Sequence, residues 1–156
     1  NTMSSALNSL KDLKIDYLTV HISSGLKALK EIKKVSGKIK IVGVTTLTSL
    51  DVKDLKSLGY KKKRKDVVKL QSKLAQKANL DGIVCSPHEI KLVKKFFSKE
   101  IITPGIRIGS KKNDQKRVMT PKAAFKQGSD WLVIGRDITK GNIKNNLKNL
   151  SDHLSQ

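Results

Sequence analysis

Arg107, Arg117 and Arg136 stand out because the chain otherwise chooses lysine: of its 33 basic residues, 29 are Lys and only four are Arg. A guanidinium presents a planar fork of N–H donors that matches a phosphate or carboxylate, whereas an ammonium is a flexible point charge. Gly105 and Gly109 stand on either side of Arg107, and Gly135 precedes Arg136, so backbone amides can approach an anion beside each fork. The combination suits a phosphate dianion; surface ion pairs are the ordinary alternative for such arginines. A second polar group, Thr45-Thr46-Leu47-Thr48-Ser49, supplies hydroxyls and amides that suit a polar heterocycle, although Ser and Thr also serve as loop and capping residues.

No set of metal-ligating or thiol groups accompanies them. Cys85 is the lone cysteine, and His21, His88 and His153 lie far apart without metal-ligand spacing, so neither an internal disulfide nor a metal centre is expected. A reducing, cytoplasmic setting is the corresponding expectation.

These groups need a framework that brings distant loops together. Short β-rich runs occur at Tyr17–His21, Ile41–Thr45, Gly82–Cys85, Ile101–Thr103 and Trp131–Ile134. Most are continuously apolar, as in parallel strands covered on both faces. Helical spacing falls between and after them, at Leu26, Leu29 and Ile32; Val67, Leu70 and Leu74; Ile90, Val93 and Phe97; and Ile143, Leu147, Leu150 and Leu154. A shorter helix carrying Leu7 and Leu10 precedes the first strand. The alternation predicts an α/β fold built of βα units on a parallel sheet. Ser86-Pro87-His88-Glu89 reads as a capping box with proline at the first helical position, and Thr120-Pro121 as a second cap-plus-proline start whose helix ends at Gly128.

In such architectures the functional groups sit where strands end and helices begin. The hydroxyl row follows the second strand. The fourth strand leads through Thr103-Pro104-Gly105-Ile106-Arg107 into a polar loop holding Gly109, Asp114, Gln115 and Arg117, and the fifth delivers Gly135-Arg136. A loop of about a dozen residues is more often functional than accidental.

At 156 residues the chain reads as a single domain, residues 1–156, and no apolar run approaches the ~20 residues of a membrane span, so no membrane partner is expected. Its net charge of +20 raises the possibility of a nucleic-acid-binding module. Lysines spread over helix faces read instead as solvating charge, and the run Lys61-Lys62-Lys63-Arg64-Lys65 as a solvated loop after a helix ending near Leu58-Gly59-Tyr60. No nucleic-acid partner is therefore expected.

The segments DYLTVHISSG (16–25), GVTTLTSLD (43–51), DGIVCSPHE (81–89), IITPGIRIGS (101–110) and NDQKRVMTPKAAFKQGSDWLVIGRDIT (113–139) together resemble orotidine 5′-phosphate decarboxylases over essentially the whole chain. The resemblance implies a (β/α)₈ TIM barrel acting as a homodimer, which converts orotidine 5′-phosphate to UMP and carbon dioxide in pyrimidine biosynthesis without metal or cofactor. It assigns Gly135 and Arg136 to the phosphate, Gln115 to the loop bridging phosphate and pyrimidine, Arg107 to the substrate site and Thr48 to the pyrimidine end. Asn1-Thr2 resembles the tail of the family's Asp-x-Lys-x-x-Asp-Ile-Pro-Asn-Thr motif, whose threonine reaches the ribose across the dimer interface. The motif's lysine and aspartates are thus expected immediately ahead of Asn1, the five strands as strands four to eight of an incomplete barrel, and the 156-residue chain by itself as inactive. A phosphosugar decarboxylase or aldolase on a related barrel is the alternative that shares the Gly-Arg phosphate end.

Overall fold

Runs of β-branched and aliphatic residues become five strands in the computed structural model, which describes residues 2–10, 12–46, 50, 52–108 and 118–155. Helix α1 (Thr2–Asn8) precedes β1 (Tyr17–His21); α2 (Leu26–Val35) leads to β2 (Lys40–Val44); α3 (Val52–Ser57) and α4 (Arg64–Lys77) lead to β3 (Gly82–Val84). A 3₁₀ turn at Pro87–Glu89 and α5 (Ile90–Lys94) then precede β4 (Glu100–Thr103), followed by α6 (Pro121–Gln127), β5 (Trp131–Leu132), α7 (Arg136–Thr139) and α8 (Ile143–Ser155).

The strands pair in parallel in chain order, β1-β2-β3-β4-β5, with Tyr17 opposite Lys40, Val42 opposite Gly82, Gly82 opposite Glu100 and Ile102 opposite Trp131. An order without reversal distinguishes a barrel-like sheet from a doubly wound one, whose order turns back at a switch point.

Alternation along the strands divides the sheet into two faces. Val20, Ile41, Ile83 and Ile101 are buried on the helix-covered face in a core that also takes Leu7, Leu29, Ile32, Val68 and Val93 from the helices. Gly43 sits where these layers meet: a Cβ there would lie 2.7 Å from Ile22 Cγ1 and 2.8 Å from Leu80 Cδ1, so hydrogen is the side chain that this spacing admits.

The opposite face departs from the expectation of strands covered on both sides. Tyr17, Thr19 and His21 on β1 are exposed, as is Trp131 on β5, the two edge strands among the described residues, whereas Val42 on β2 is buried on the same face. Across it Glu100 accepts hydrogen bonds from Tyr17 Oη (2.9 Å), Trp131 Nε1 (3.0 Å) and Lys40 Nζ, joining four of the five strands at their N-terminal ends. Burial pushes the Glu100 carboxyl up, but the three donors together outweigh it and hold the group below the usual carboxylate range.

One of the two caps forms as expected. Thr120 Oγ1 accepts from Ala123 N–H at 3.4 Å, Pro121 opens α6, and Gly128 closes it in the left-handed region at φ 104°. The capping box at Ser86 does not form. Ser86 Oγ is buried without a hydrogen-bond partner, while the Ser86 carbonyl takes the Glu89 amide and tightens the chain into the 3₁₀ turn. Helix α5 also ends before Phe97, because Lys95 and Phe96 bond three residues back instead of four. The basic run divides: Lys61, Lys62 and Lys63 lie in the exposed connection, whereas Arg64 and Lys65 form the first turn of α4.

Candidate functional site

Parallel strands place all their C-terminal ends on one rim, and the residues that follow them assemble there. After β2, Thr45 fastens to β3 through its amide (3.1 Å) and Oγ1 (3.0 Å), both donating to the Val84 carbonyl. Thr46 donates its amide (2.9 Å) and hydroxyl (3.1 Å) to Oε1 of Gln71, a buried side chain from α4. A cavity of about 180 Å³ beside them is lined by His21 and Ser23 as well as Thr45, Thr46, Tyr60 and Gln71. Gln71 therefore holds the backbone at Thr46. Its only signal in the sequence is a polar residue among the apolar positions of α4.

After β4 the backbone clasps itself. Arg107 N–H donates to the Met119 carbonyl (3.0 Å), Met119 N–H donates to the Gly105 carbonyl (3.2 Å), and Ile106 bridges Met119 in parallel. The two ends of the polar loop are thereby held side by side.

Arg107 is only 8% exposed, and its Nη1 donates to Asp137 Oδ1 at 2.7 Å, while Asp137 Oδ2 accepts the Ile108 amide at 2.8 Å. Asp137 stands in the first turn of α7, immediately after Gly135 and Arg136. A single carboxylate thus ties the loop after β4 to the segment after β5, and Arg107 and the Gly135-Arg136 pair are brought together through it. Gly135 and Arg136 are themselves exposed, as an anion site requires.

The other expected site residues are placed differently. Thr2 begins α1, which packs on α2, and no hydrogen bond or ion pair joins it to Arg107 or Arg136 among the described residues. Asn1, Thr48 and Gln115 lie outside the described residues. Asp137 was legible only as a neighbour of Gly135-Arg136; its part as a clasp needed the fold.

Cys85, just after β3, is buried, and burial together with the nearby Glu89 charge pushes its thiol well above the usual range, which favours the protonated form. Among the described residues no three His, Cys, Asp or Glu side chains are grouped to hold a metal ion, and no helix is long and apolar enough to cross a membrane.

Comparison with known proteins identifies the family and the fold. The model of the orotidine 5′-phosphate decarboxylase / HUMPS family matches residues 1–148. An orotidine 5′-phosphate decarboxylase of Wolbachia pipientis subsp. Culex pipiens is 46% identical over 144 residues, covering 90% of this chain and 64% of that protein. A second, from Wolbachia sp. subsp. Brugia malayi, is 45% identical over 97% of this chain and 71% of its own length. The chain therefore spans about two-thirds of these curated relatives. The crystal structure of orotidine 5′-phosphate decarboxylase from Lactobacillus acidophilus superposes with a TM-score of 0.84 at 27% identity, over 100% of this chain and 70% of that one. The five βα units are accordingly part of a (β/α)₈ barrel.

Proposed function

Because this chain belongs to the orotidine 5′-phosphate decarboxylase / HUMPS family, we propose that it serves the decarboxylation of orotidine 5′-phosphate to UMP and carbon dioxide in pyrimidine biosynthesis. The observation that carries the reading is the Arg107–Asp137 clasp, which joins the last two βα loops at the end of the sheet where barrels of this kind bind phosphate.

On this reading Arg136 and the Gly135 amide take the 5′-phosphate, Arg107 lies at its substrate-facing margin, Gln115 bridges phosphate and pyrimidine, and Thr48 meets the pyrimidine. Asn1 and Thr2 reach the ribose of a partner's site in a cytoplasmic homodimer. Phosphate contacts lie far from the carbon that loses carbon dioxide, and their binding energy acts there by holding the substrate in its reactive position. The chain's own residues bind and orient the two ends of the substrate.

The test uses the full-length protein with orotidine 5′-phosphate, read by the change in ultraviolet absorbance, beside titration with UMP. Arg136→Ala is expected to raise KM and weaken UMP binding by about tenfold or more, the loss of a charge-assisted phosphate contact. Turnover of a pentulose phosphate, with none of orotidine 5′-phosphate, would assign the protein to the phosphosugar branch instead.

A further inference from the structure

A cleft of about 940 Å³ opens between the connection from α3 to α4, the first turn of α4, and α5. Seven lysines and Arg64 line it, against a single acid, Glu89. Lys61, Lys62, Lys63 and Lys65 come from one side, and Lys91 and Lys95 from the other. None of the seven lysines forms an ion pair among the described residues. Lys65 stands in the first turn of α4, where the helix dipole disfavours a cation, so helix stability does not account for the gathering. Leu55, which is buried, and Leu92 add an apolar part to the lining, and Tyr60 adds an aromatic ring.

Like charges around one concavity repel each other and focus a positive potential into it, which an anion relieves. The volume falls within the ~300–1,000 Å³ of small-molecule sites. We propose that this cleft binds a nucleoside polyphosphate, its phosphates among the lysines and its flat heterocycle against Tyr60 and the two leucines. A nucleic-acid strand fits less well, because it calls for a basic stripe that tracks a backbone, whereas these cations ring one hollow. The cleft shares Tyr60 with the small cavity beside Thr46 but uses none of Thr48, Arg107, Gln115 or Arg136.

The experiment is calorimetric titration of the full-length protein with UTP, ATP and inorganic tripolyphosphate at physiological salt. It is repeated on Lys61→Glu/Lys62→Glu/Lys63→Glu and on a charge-matched control, Lys122→Glu/Lys126→Glu/Lys148→Glu, which alters exposed positions of α6 and α8. One nucleotide is expected per chain, held more tightly than tripolyphosphate. The cleft variant should lose about tenfold or more in nucleotide affinity, and the control no more than about twofold. Absence of nucleotide binding, equal losses in both variants, or tripolyphosphate binding as tightly as the nucleotides would overturn the proposal. So would a short single-stranded oligonucleotide that binds the cleft more tightly than either nucleotide.

Discussion

Arg107 and Asp137 meet at 2.7 Å although 30 residues separate them in the chain, and Arg107 is only 8% exposed. Removing the carboxylate leaves that cation desolvated and frees the Ile108 amide as well. Asp137→Ala is therefore expected to cost about 2–3 kcal/mol of folding stability, at or just below the ~3–5 kcal/mol of breaking a fully buried pair because Asp137 keeps some exposure. Chemical denaturation measures it, and UMP titration should show weakened binding alongside. A variant as stable as the parent would show that the pair does not hold the two loops.

Gln71→Leu keeps the volume on α4 but takes the acceptor from the Thr46 amide and hydroxyl, both buried. An orphaned buried donor costs about 1–3 kcal/mol. Hydrogen exchange at the Thr46 amide should accelerate in this variant relative to amides of β3, and unchanged protection would dissociate Gln71 from the position of the hydroxyl row.

Gly43→Ala drives a methyl against Ile22 and Leu80, both fully buried, with three contacts inside 3.0 Å. Overpacking of this kind costs about 1–3 kcal/mol. Thermal unfolding should fall accordingly, and a double variant that also trims Leu80 to Val should regain part of the loss.

The Glu100 hub predicts a pH dependence with a definite sign. Its carboxyl is lowered in the folded chain, so its contribution is complete above the unfolded value of ~4.3 and is lost as pH falls through the folded value. The Lys40 ammonium is raised, first by its hydrogen bond to Glu100 and then by that to Tyr17, so its contribution is complete below ~10.4 and is lost as pH rises through the folded value. The stability difference between the parent and Glu100→Gln should therefore be constant near neutrality and shrink below about pH 4. A difference that persists unchanged into acid would contradict the hub.

Periodicity and cap chemistry carried the elements: β1 was legible to the residue, and Thr120-Pro121 with Gly128 marked both ends of α6. Local signals are local in cause, which is why they succeed there. Ser86 misled because the same Ser-Pro start serves a 3₁₀ turn, where backbone bonding replaces the side-chain cap. For the site, Arg107 and Gly135-Arg136 were visible as rare arginines beside glycines, but Asp137 and Gln71 were not. Each acts through a partner at least 25 residues away, and no spacing rule reaches that far. The division of the basic run between an exposed connection and the start of α4 was equally hidden, since a charge count carries no shape.

Strand order that copies chain order has a consequence for how this molecule comes into being. During synthesis each of β2 to β5 emerges to find the described strand it pairs with, the one before it in the chain, already made. Pairing between successive strands keeps each of these steps short in sequence and favours assembly of this part of the sheet unit upon unit.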